Sequence, residues 1–215
     1  MLWHVINLDR RKDRWQRAKT HFQECRFDIV RVSAVDAKTM PSSLRKVPCH
    51  EDEHERRANF SAIACALSHA GLLEQLSEGT SETILVAEDD ARFDNPEEVK
   101  RLVQNFSNQS SCGLLNLGFG EMWKPSFHEE VASGIFRCEG KSIFAHAYAV
   151  KRSFARAIAT NMRQGAVHLC LGGDRRAFAA DVVWVQTPGL VHCVPAHPVA
   201  HQVDAMGSDI ESTGP

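Results

Sequence analysis

The sequence predicts an α/β protein in which a mostly parallel, twisted sheet of the Rossmann type is flanked by helices in a single domain. Short apolar segments that suit buried strands alternate with amphipathic segments through the first 120 residues. This alternation is typical of a sheet that is covered by helices on both faces. The chain has 215 residues, of which 43% are hydrophobic, and that is enough to bury one core without a metal or a disulfide.

The first half of the chain carries the clearest elements. Its predicted strands are short and rich in branched apolar residues, and its predicted helices repeat apolar residues every three or four positions. The best helix start is at Asn95, because an N-cap residue precedes Pro96, and Glu98 follows three residues after the cap. We predict strands at 2–8, 27–34, 83–87 and 113–119, helices at 10–22, 61–76 and 95–106, and a long polar loop at 36–58.

The second half alternates less regularly. Apolar runs bounded by glycine, proline and polar residues again indicate short strands. The last residues are rich in His, Pro, Gly and Ser, which favours a loop. We predict strands at 142–150, 181–187 and 190–194, a helix at 153–162, and a loop-like tail at 195–215.

Composition excludes several classes of protein. With 25 Lys and Arg against 27 Asp and Glu, the net charge is -2, whereas a general nucleic-acid binder carries a basic excess. The seven cysteines are scattered and include no CxxC pair, so we expect a reducing compartment and no disulfide framework. We recognise no signal peptide, and no apolar run approaches the ~20 residues of a transmembrane helix.

The acidic triplet that follows the strand 83–87 is the most informative motif. Ligands of α/β proteins bind beyond the carboxyl ends of the strands, which directs attention to 9–14, 88–90 and 118–121. In an extended chain alternate side chains point the same way, so Glu88 and Asp90 are expected to face one centre and Asp89 to face away. Like charges held close together favour a bound divalent cation with oxygen ligands. The alternative is an acidic turn that caps a helix.

A second motif, the Arg-rich segment that follows the first strand, runs from Asn7 and Leu8 to Arg14. Arginine offers a planar fork matched to phosphate, and a helix N-terminus attracts anions. Arg11 and Arg14 are therefore candidates for a diphosphate clamp, with Arg10 a weaker one. The alternative is a solvated helix face with ion pairs along the helix.

Histidines supply two further candidates. His69 directly follows Ser68 on a predicted helix, so the two do not face each other as a nucleophile and its base would, and a buried structural histidine is the alternative. The tail could hold zinc, although Pro198 interrupts the helix that would bring His197 and His201 together. The tail candidates for zinc are His192, Cys193, His197, His201, Asp204, Ser208 and Asp209.

Several short segments, taken in order, resemble glycosyltransferase family 25, which includes bacterial lipooligosaccharide galactosyltransferases and the collagen hydroxylysine galactosyltransferases. The segments are Val5 to Arg14, Ala34 to Ala37, Cys65 to His69, Glu88 to Asp90, Ala147 to Val150, and Gln202 with Ser208 to Ile210. Each one is short, and their order and spacing carry the resemblance over nearly the whole chain.

The resemblance implies a GT-A-like fold and an inverting, metal-dependent hexosyltransferase that uses a UDP-sugar, either UDP-glucose or UDP-galactose. It implies Mn²⁺ or Mg²⁺ held by Glu88 and Asp90, with Asp89 close to the donor. The uracil and ribose are then expected near Asn7 and Leu8. The general base is expected to be Asp181, with Asp174 and His69 as alternatives. Asp181 could equally be a turn residue at the start of a strand.

The resemblance also implies how the chain divides and what it acts upon. We expect one glycosyltransferase domain over 1–215, with a half at 1–120 that binds the nucleotide sugar and a half at 121–215 that faces the acceptor. The acceptor is expected to be a glycan, glycolipid or glycoprotein, as in lipopolysaccharide biosynthesis. We expect a cytoplasmic protein, in the host cytoplasm if the chain is viral, with no nucleic-acid partner and no transmembrane segment.

Two rival functions use the same motifs. A metal-dependent nucleotidyl- or phosphoryl-transfer enzyme could use the acidic triplet and would release pyrophosphate or phosphate instead of UDP. A non-catalytic module that binds a sugar nucleotide, or that is stabilised by zinc in its tail, would retain zinc and would hydrolyse no nucleotide sugar.

Overall fold

The computed structural model of the chain describes residues 1–41, 53–109, 111–119, 126–139 and 144–203. Parts of several predicted features lie outside these residues. They are the centre of the loop 36–58, the end of the segment 118–121, the start of the strand 142–150, and the tail from Asp204 onwards with Ser208 and Asp209.

One sheet of eight strands forms the centre of the described structure. The strands are β1 (Leu2–Asn7), β2 (Asp28–Ser33), β3 (Thr83–Glu88), β5 (Leu114–Asn116), β6 (Ser126–Ala132), β7 (Ile135–Glu139), β8 (Ala147–Lys151) and β9 (His192–Pro195). Their order across the sheet is β2-β1-β3-β8-β5-β9-β7-β6. The pairings make β8 and β7 antiparallel to their neighbours, so the other six strands share one direction. The predicted mostly parallel sheet is confirmed.

Helices cover both faces of this sheet, as predicted. The helices are α1 (Lys12–Glu24), α2 (Glu53–Ser77), α3 (Pro96–Asn108), α4 (Arg152–Cys170), and the short α5 (Arg175–Phe178) and α6 (Ala180–Val183). The pleat of β3 divides its side chains between the faces, because successive strand residues point to opposite sides. Ile84 and Val86 pack in the cluster with α2, α4 and α6, whereas Leu85 and Ala87 pack in the cluster with α1 and α3.

A two-stranded sheet lies where β3 ends. It pairs β4 (Ala91–Phe93) with β10 (Ala200–Gln202) in antiparallel register, with Gln202 opposite Ala91. The chain after β3 therefore turns through Asp89 and Asp90 and continues directly into a new pair of strands. This arrangement brings the end of the described chain back to the acidic triplet.

Several predicted elements are wrong in type or extent, among them the helix predicted at 153–162, which continues to Cys170. The segment predicted as a strand at 181–187 is α6 followed by a 3-10 helix at Trp184–Gln186. Ala180, Val182, Val183 and Trp184 are all buried there, and apolar residues on nearly every position do not distinguish a short buried helix from a strand. Helix α2 begins at Glu53, inside the predicted loop. The hairpin β6–β7 and the strands β4 and β10 were not predicted.

The expectation that the cysteines form no disulfide is corrected at one pair. Cys112 and Cys193 are joined by a disulfide, with their Cα atoms 6.4 Å apart. Cys193 lies in β9, and Cys112 precedes β5, the parallel neighbour of β9, so the sheet itself brings the two together. Among the described residues, Cys25, Cys65, Cys138 and Cys170 are not part of a disulfide.

The described part of the chain contains no helix that is both long enough and apolar enough to span a membrane.

Candidate functional site

The predicted site residues meet at the carboxyl ends of β1 and β3. These strands are parallel neighbours, and Ile6 of β1 lies opposite Glu88 of β3. Asn7, the last residue of β1, therefore lies at the same edge of the sheet as the acidic triplet. The sequence correctly predicts this meeting point, because parallel strands end at a common edge.

Glu88 points to the face of the sheet that α2 covers, in phase with Ile84 and Val86. His69 Nε2 lies 3.2 Å from Glu88 Oε1, and Cys65 Sγ lies 3.9 Å from the same oxygen. Burial raises the pKa of Glu88, but the hydrogen bond and the charge of His69 outweigh it and leave this pKa below its ordinary value. The side chain of Glu88 remains 23% exposed, so a ligand can reach its carboxylate.

Asp89 and Asp90 are buried and share one arginine. Arg14, on the first turn of α1, is itself buried. It lies 2.8 Å from Asp89 Oδ1 and also donates to Asp90 Oδ2. Asp89 accepts a second hydrogen bond, at 2.6 Å, from Asn7 Nδ2, and Asp90 accepts one at 3.1 Å from Gln202 Nε2. A buried guanidinium between two carboxylates compensates much of their charge.

The expected alternation of the triplet is therefore wrong. Strand β3 ends at Glu88, and Asp89 and Asp90 lie in a turn, where the period of two no longer applies. Asp89 and Asp90 converge on Arg14, while Glu88 contacts α2. The assignment of Glu88 and Asp90 as metal ligands stays a prediction, as does the contact of Arg14 with a diphosphate.

The carboxylates nevertheless fit a divalent cation. Asp90 Oδ1 is buried and accepts no hydrogen bond from the described residues, although buried polar atoms are nearly always paired. Burial raises the pKa of Asp90 to about 7, and the charge of Glu88 adds to this rise. Glu88 and Asp90 are separated by a single residue at the end of β3. An oxygen without a proton donor beside an ionised carboxylate matches the oxygen ligands that Mn²⁺ and Mg²⁺ prefer.

The residues predicted to hold the donor line the edge next to Asp89. Asn7 is buried and donates to the backbone oxygen of Arg11 at 3.1 Å as well as to Asp89, and its own oxygen accepts from Arg31 Nε at 2.8 Å. Leu8 is half-buried. Arg11 is bound to Asp13 in an exposed pair. Arg10, the weaker candidate, donates to Asp36 at 2.7 Å.

Asp181 lies beside the same centre, on the first turn of α6. Its Oδ2 accepts a 2.7 Å hydrogen bond from the backbone N–H of Phe144. Burial raises the pKa of Asp181, the Phe144 N–H opposes this rise, and the charge of Glu88 adds to it. The carboxyl of Asp181 is thus more basic than that of an ordinary aspartate.

The other two candidates for the general base, Asp174 and His69, differ in exposure and in their contacts. Asp174 is exposed and caps α5, where its Oδ1 accepts from the backbone N–H of Arg176 at 2.9 Å. His69 is 1% exposed and lies between Glu88 and the hydroxyl of Tyr148, which is 3.0 Å from its Nδ1. These contacts give Asp174 a capping role and His69 a role in holding Glu88.

Zinc in the tail was an alternative, and its described candidates, His192, Cys193, His197 and His201, do not form a group with metal-ligand spacing. Cys193 is bonded to Cys112, and His192 is buried in β9. His201, on β10, lies 3.4 Å from Asp94. The group of described residues with metal-ligand spacing is instead Cys65, His69 and Glu88, whose ligand atoms lie within 4.8 Å of one another.

Sequence reasoning missed three residues of the site. Gln202 and Tyr148 lie in segments that carry the family resemblance, and that was their signal. His146 had none: it is 4% exposed, and its charge lowers the pKa of Glu88. Its ring packs where a Cβ on Gly118 would lie 2.1 Å from Nε2, so position 118 must remain glycine for the ring to fit.

Comparison with known proteins identifies the family of the chain. The sequence profile described as glycosyltransferase family 25 (LPS biosynthesis protein) matches residues 1–167. A glycosyltransferase 25 family member of Anopheles gambiae is 32% identical over 98 residues, 42% of this chain and 17% of that protein. Procollagen galactosyltransferase 2 of Homo sapiens is 32% identical over 117 residues, 51% of this chain and 18% of that protein. The matched stretch is thus less than a fifth of these two relatives.

Among solved structures, a glycosyltransferase involved in the glycosylation of the major capsid of PBCV-1 aligns with 90% of this chain and 79% of its own. The TM-score is 0.47 and the identity 12%, so the fold assignment rests on the strand order and pairing of this chain. Since the family profile covers residues 1–167 of 215 and includes every member of the acidic triplet, this chain belongs to glycosyltransferase family 25.

Proposed function

We propose that this chain transfers a hexose from UDP-glucose or UDP-galactose to a glycan, glycolipid or glycoprotein acceptor, with inversion at the anomeric carbon and with Mn²⁺ or Mg²⁺ as cofactor. The observation that carries the proposal is the acidic end of β3. There an accessible Glu88 and a buried Asp90 oxygen without a proton donor lie close together. The proposal also includes a cytoplasmic location.

The donor end of the reaction belongs to the carboxyl edge of β1 and β3. When bound, the divalent cation supplies positive charge at the diphosphate, where the leaving group gains negative charge in the transition state. Glu88 and Asp90 would hold this cation. Asn7 and Leu8 would line the site of the uracil and ribose, and Arg11, which is half-buried at the start of α1, would reach the diphosphate.

In this proposal Arg14 does not contact the donor and acts through Asp89 and Asp90. Its guanidinium is taken up by Asp89 and Asp90, so it stabilises the turn that presents Asp90. Asp89 contacts both Arg14 and Asn7. It therefore links the turn that carries Asp90 to the end of β1. Direct contact of Arg14 and Asp89 with the donor, as expected from the sequence, stays a prediction.

Asp181 is the proposed general base. The acceptor hydroxyl must lose a proton as it attacks the anomeric carbon, and a carboxylate with a raised pKa suits that step. Asp181 is half-buried on the first turn of α6, and the charges of Glu88 and His69 influence its pKa. Its hydrogen bond from the Phe144 N–H fixes one oxygen and orients the other.

The test is hydrolysis and transfer with UDP-glucose, UDP-galactose and GDP- and TDP-sugars, each with and without Mn²⁺. We expect metal-dependent release of UDP from one UDP-hexose. Release of pyrophosphate or phosphate, or no metal-dependent response to any donor, would contradict the proposal.

Matched variants locate the activity. Glu88→Gln removes the accessible carboxylate at the end of β3, and we expect it to lower turnover at least about 100-fold because the cation loses an anionic ligand. Glu82→Gln is the control, since Glu82 precedes the other end of β3, where it forms an exposed pair with Arg152. Equal activity in the two variants would exclude Glu88 as a metal ligand.

A further inference from the structure

Phe144 is an exposed aromatic residue beside the proposed general base. We propose that its ring is the surface on which a pyranose ring of the acceptor stacks, so that the hydroxyl to be glycosylated belongs to a sugar residue. The proposal deepens the proposed function and rests on it for the role of Asp181. Binding of a sugar to Phe144 can nevertheless be measured without any transfer.

The topology of the sheet places Phe144 at the edge that carries the site. Strand β8 lies next to β3 and runs antiparallel to it, so the residues that precede β8 lie beyond the carboxyl end of β3. The N–H of Glu88 donates to the carbonyl oxygen of His146 at 2.8 Å, and Phe144 comes two residues before His146. Since β1 and β8 flank β3 on opposite sides, Phe144 lies across Glu88 from the end of β1, where the nucleotide is proposed to bind.

Two hydrogen bonds fix the backbone of Phe144 beside Asp181. Its N–H donates to Asp181 Oδ2 at 2.7 Å, and its carbonyl oxygen accepts from Asn116 Nδ2 at 3.1 Å. Asn116 ends β5, the other neighbour of β8, and Asp181 belongs to α6. The sheet and a helix thus both hold Phe144 next to the carboxylate that would accept the proton of the acceptor hydroxyl.

The backbone of Phe144 is strained. Its φ is +91°, in the left-handed region that a bulky side chain rarely adopts, whereas glycine adopts it freely. Such strain persists only where the surrounding structure imposes it, and it concentrates at functional sites. The conformation of the chain therefore does not explain why position 144 carries an aromatic side chain.

Burial in the core does not explain the side chain either. Phe144 is 39% exposed, and no other Phe, Trp or Tyr is exposed among the residues whose side chains the structure describes. Phe22 and Phe106, by comparison, are fully buried. A ligand that covers the ring would account for an aromatic residue that is both strained and exposed.

A pyranose fits this position by its chemistry. One face of a hexopyranose carries mainly C–H groups, which an aromatic ring covers through apolar burial and through the attraction of C–H groups to its negative face. The hydroxyls at the rim of the sugar stay available to polar partners, and Asp181 is adjacent to accept from one of them. A hydroxyl on an amino-acid side chain lacks such an apolar face.

The test is binding of methyl β-D-galactopyranoside and methyl β-D-glucopyranoside to the protein without donor or metal, followed by saturation-transfer NMR. We expect at least one glycoside to bind, with the strongest transfer to the protons of its apolar face. Binding of neither glycoside to the wild type would overturn the proposal.

Phe144→Ala removes the ring but keeps the backbone N–H that binds Asp181. We expect it to weaken glycoside binding at least about 10-fold, and Phe144→Tyr to retain binding within about threefold. Val167→Ala is the control, because Val167 is an apolar residue of α4 that is 57% exposed, and it should leave binding unchanged. Equal binding by the wild type and Phe144→Ala would overturn the proposal.

Phe144→Gly separates a ring that binds a ligand from one that only supports the fold. Glycine and alanine both remove the ring, but only glycine is relaxed at a φ of +91°, so Phe144→Gly should unfold at a higher temperature than Phe144→Ala. Both variants should bind the glycosides equally weakly. Glycoside binding that recovers with stability in Phe144→Gly would overturn the role of the ring.

Calorimetry with UDP-galactose and UDP-glucose in the presence of Mn²⁺ separates the acceptor from the donor. Phe144→Ala should change the affinity for these donors by less than about twofold, because the nucleotide is bound elsewhere along the edge. A loss as large as that for the methyl glycosides would assign the ring to the donor sugar and overturn the proposal. If glycoside binding depends on Phe144 but no UDP-sugar is hydrolysed or transferred, the proposed function fails while the sugar-binding role of Phe144 stands.

Discussion

The carboxylates of the triplet differ in how their charges are balanced. Glu88 contacts His69 and the thiol of Cys65 and stays partly exposed, whereas Asp89 and Asp90 are buried around Arg14. The sequence shows three adjacent acids after a buried strand, and from this it correctly predicts where they lie. It does not show which of them a distant arginine neutralises, because that depends on how α1 packs beside β3.

Arg14→Met tests this division at one residue. The variant keeps the length of the side chain but leaves two buried carboxylates without their cation, which costs about 3–5 kcal/mol of unfolding free energy. Arg156→Met is the control. Arg156 pairs with Glu78 where both side chains are about two-thirds exposed, and such a pair contributes less than about 1 kcal/mol. Urea denaturation measures both, and similar losses would contradict the buried cluster.

Asp90 should also make stability depend on pH in the metal-free protein. Burial and the charge of Glu88 raise its pKa to about 7, against about 3.9 in an unfolded chain. Between these values the folded state holds a proton that the unfolded state has lost. The contribution of Asp90 to the unfolding free energy therefore falls as the pH rises between its unfolded and folded pKa values, by up to about 1.4 kcal/mol per pH unit.

Asp90→Asn is expected to flatten this slope, because the amide does not titrate. Denaturant titrations across the acid-to-neutral range, with Asp174→Asn as an exposed control, measure the effect. If the unfolding free energy of Asp90→Asn depends on pH as steeply as that of the wild type, the Asp90 carboxyl does not have the raised pKa that its burial predicts.

At the scale of elements, the sequence predicts best where local signals and packing agree. Helix α3 begins at Pro96, directly after the Asn95 cap, whose side chain accepts from the Glu98 N–H. The segment 181–187 shows the opposite case. Its run of apolar residues suits a strand, but the segment packs as a short helix on α4, and only that contact decides between the two.

The close contact of α4 with α5 and α6 places Asp181 and provides a second test. A Cβ on Gly165 of α4 would lie 2.6 Å from the backbone oxygen of Phe178 and 3.0 Å from Val183 Cγ1. Gly165→Ala must push these helices apart, and we expect a loss of about 1–3 kcal/mol with lower transfer activity through Asp181.

Gly71→Ala is the matched control, because it also lies within a helix and its Cβ would meet nothing within 4 Å. Better helix propensity should stabilise that variant by about 0.5–1 kcal/mol. Thermal unfolding of the two variants should thus shift in opposite directions. Stabilisation by both would contradict the tight packing between α4 and the short helices.

For the whole molecule, alternating apolar and amphipathic segments were sufficient to predict the α/β class and the edge where the site lies. They could not predict that β8 lies between β3 and β5, nor that Gln202 returns to Asp90. Both arise from contacts between residues far apart in sequence. The expected division of the chain at residue 120 and its cytoplasmic location stay predictions.

The claim that unites these scales is that the carboxyl end of β3 binds a divalent cation together with a diphosphate-linked sugar. The most direct measurement is anomalous scattering at the manganese edge from crystals soaked with Mn²⁺ and UDP-glucose or UDP-galactose. We predict a single strong peak in coordinating distance of Glu88 and Asp90, with the diphosphate as a further ligand. A crystal that binds the nucleotide sugar but shows no anomalous peak at these two carboxylates would contradict the account.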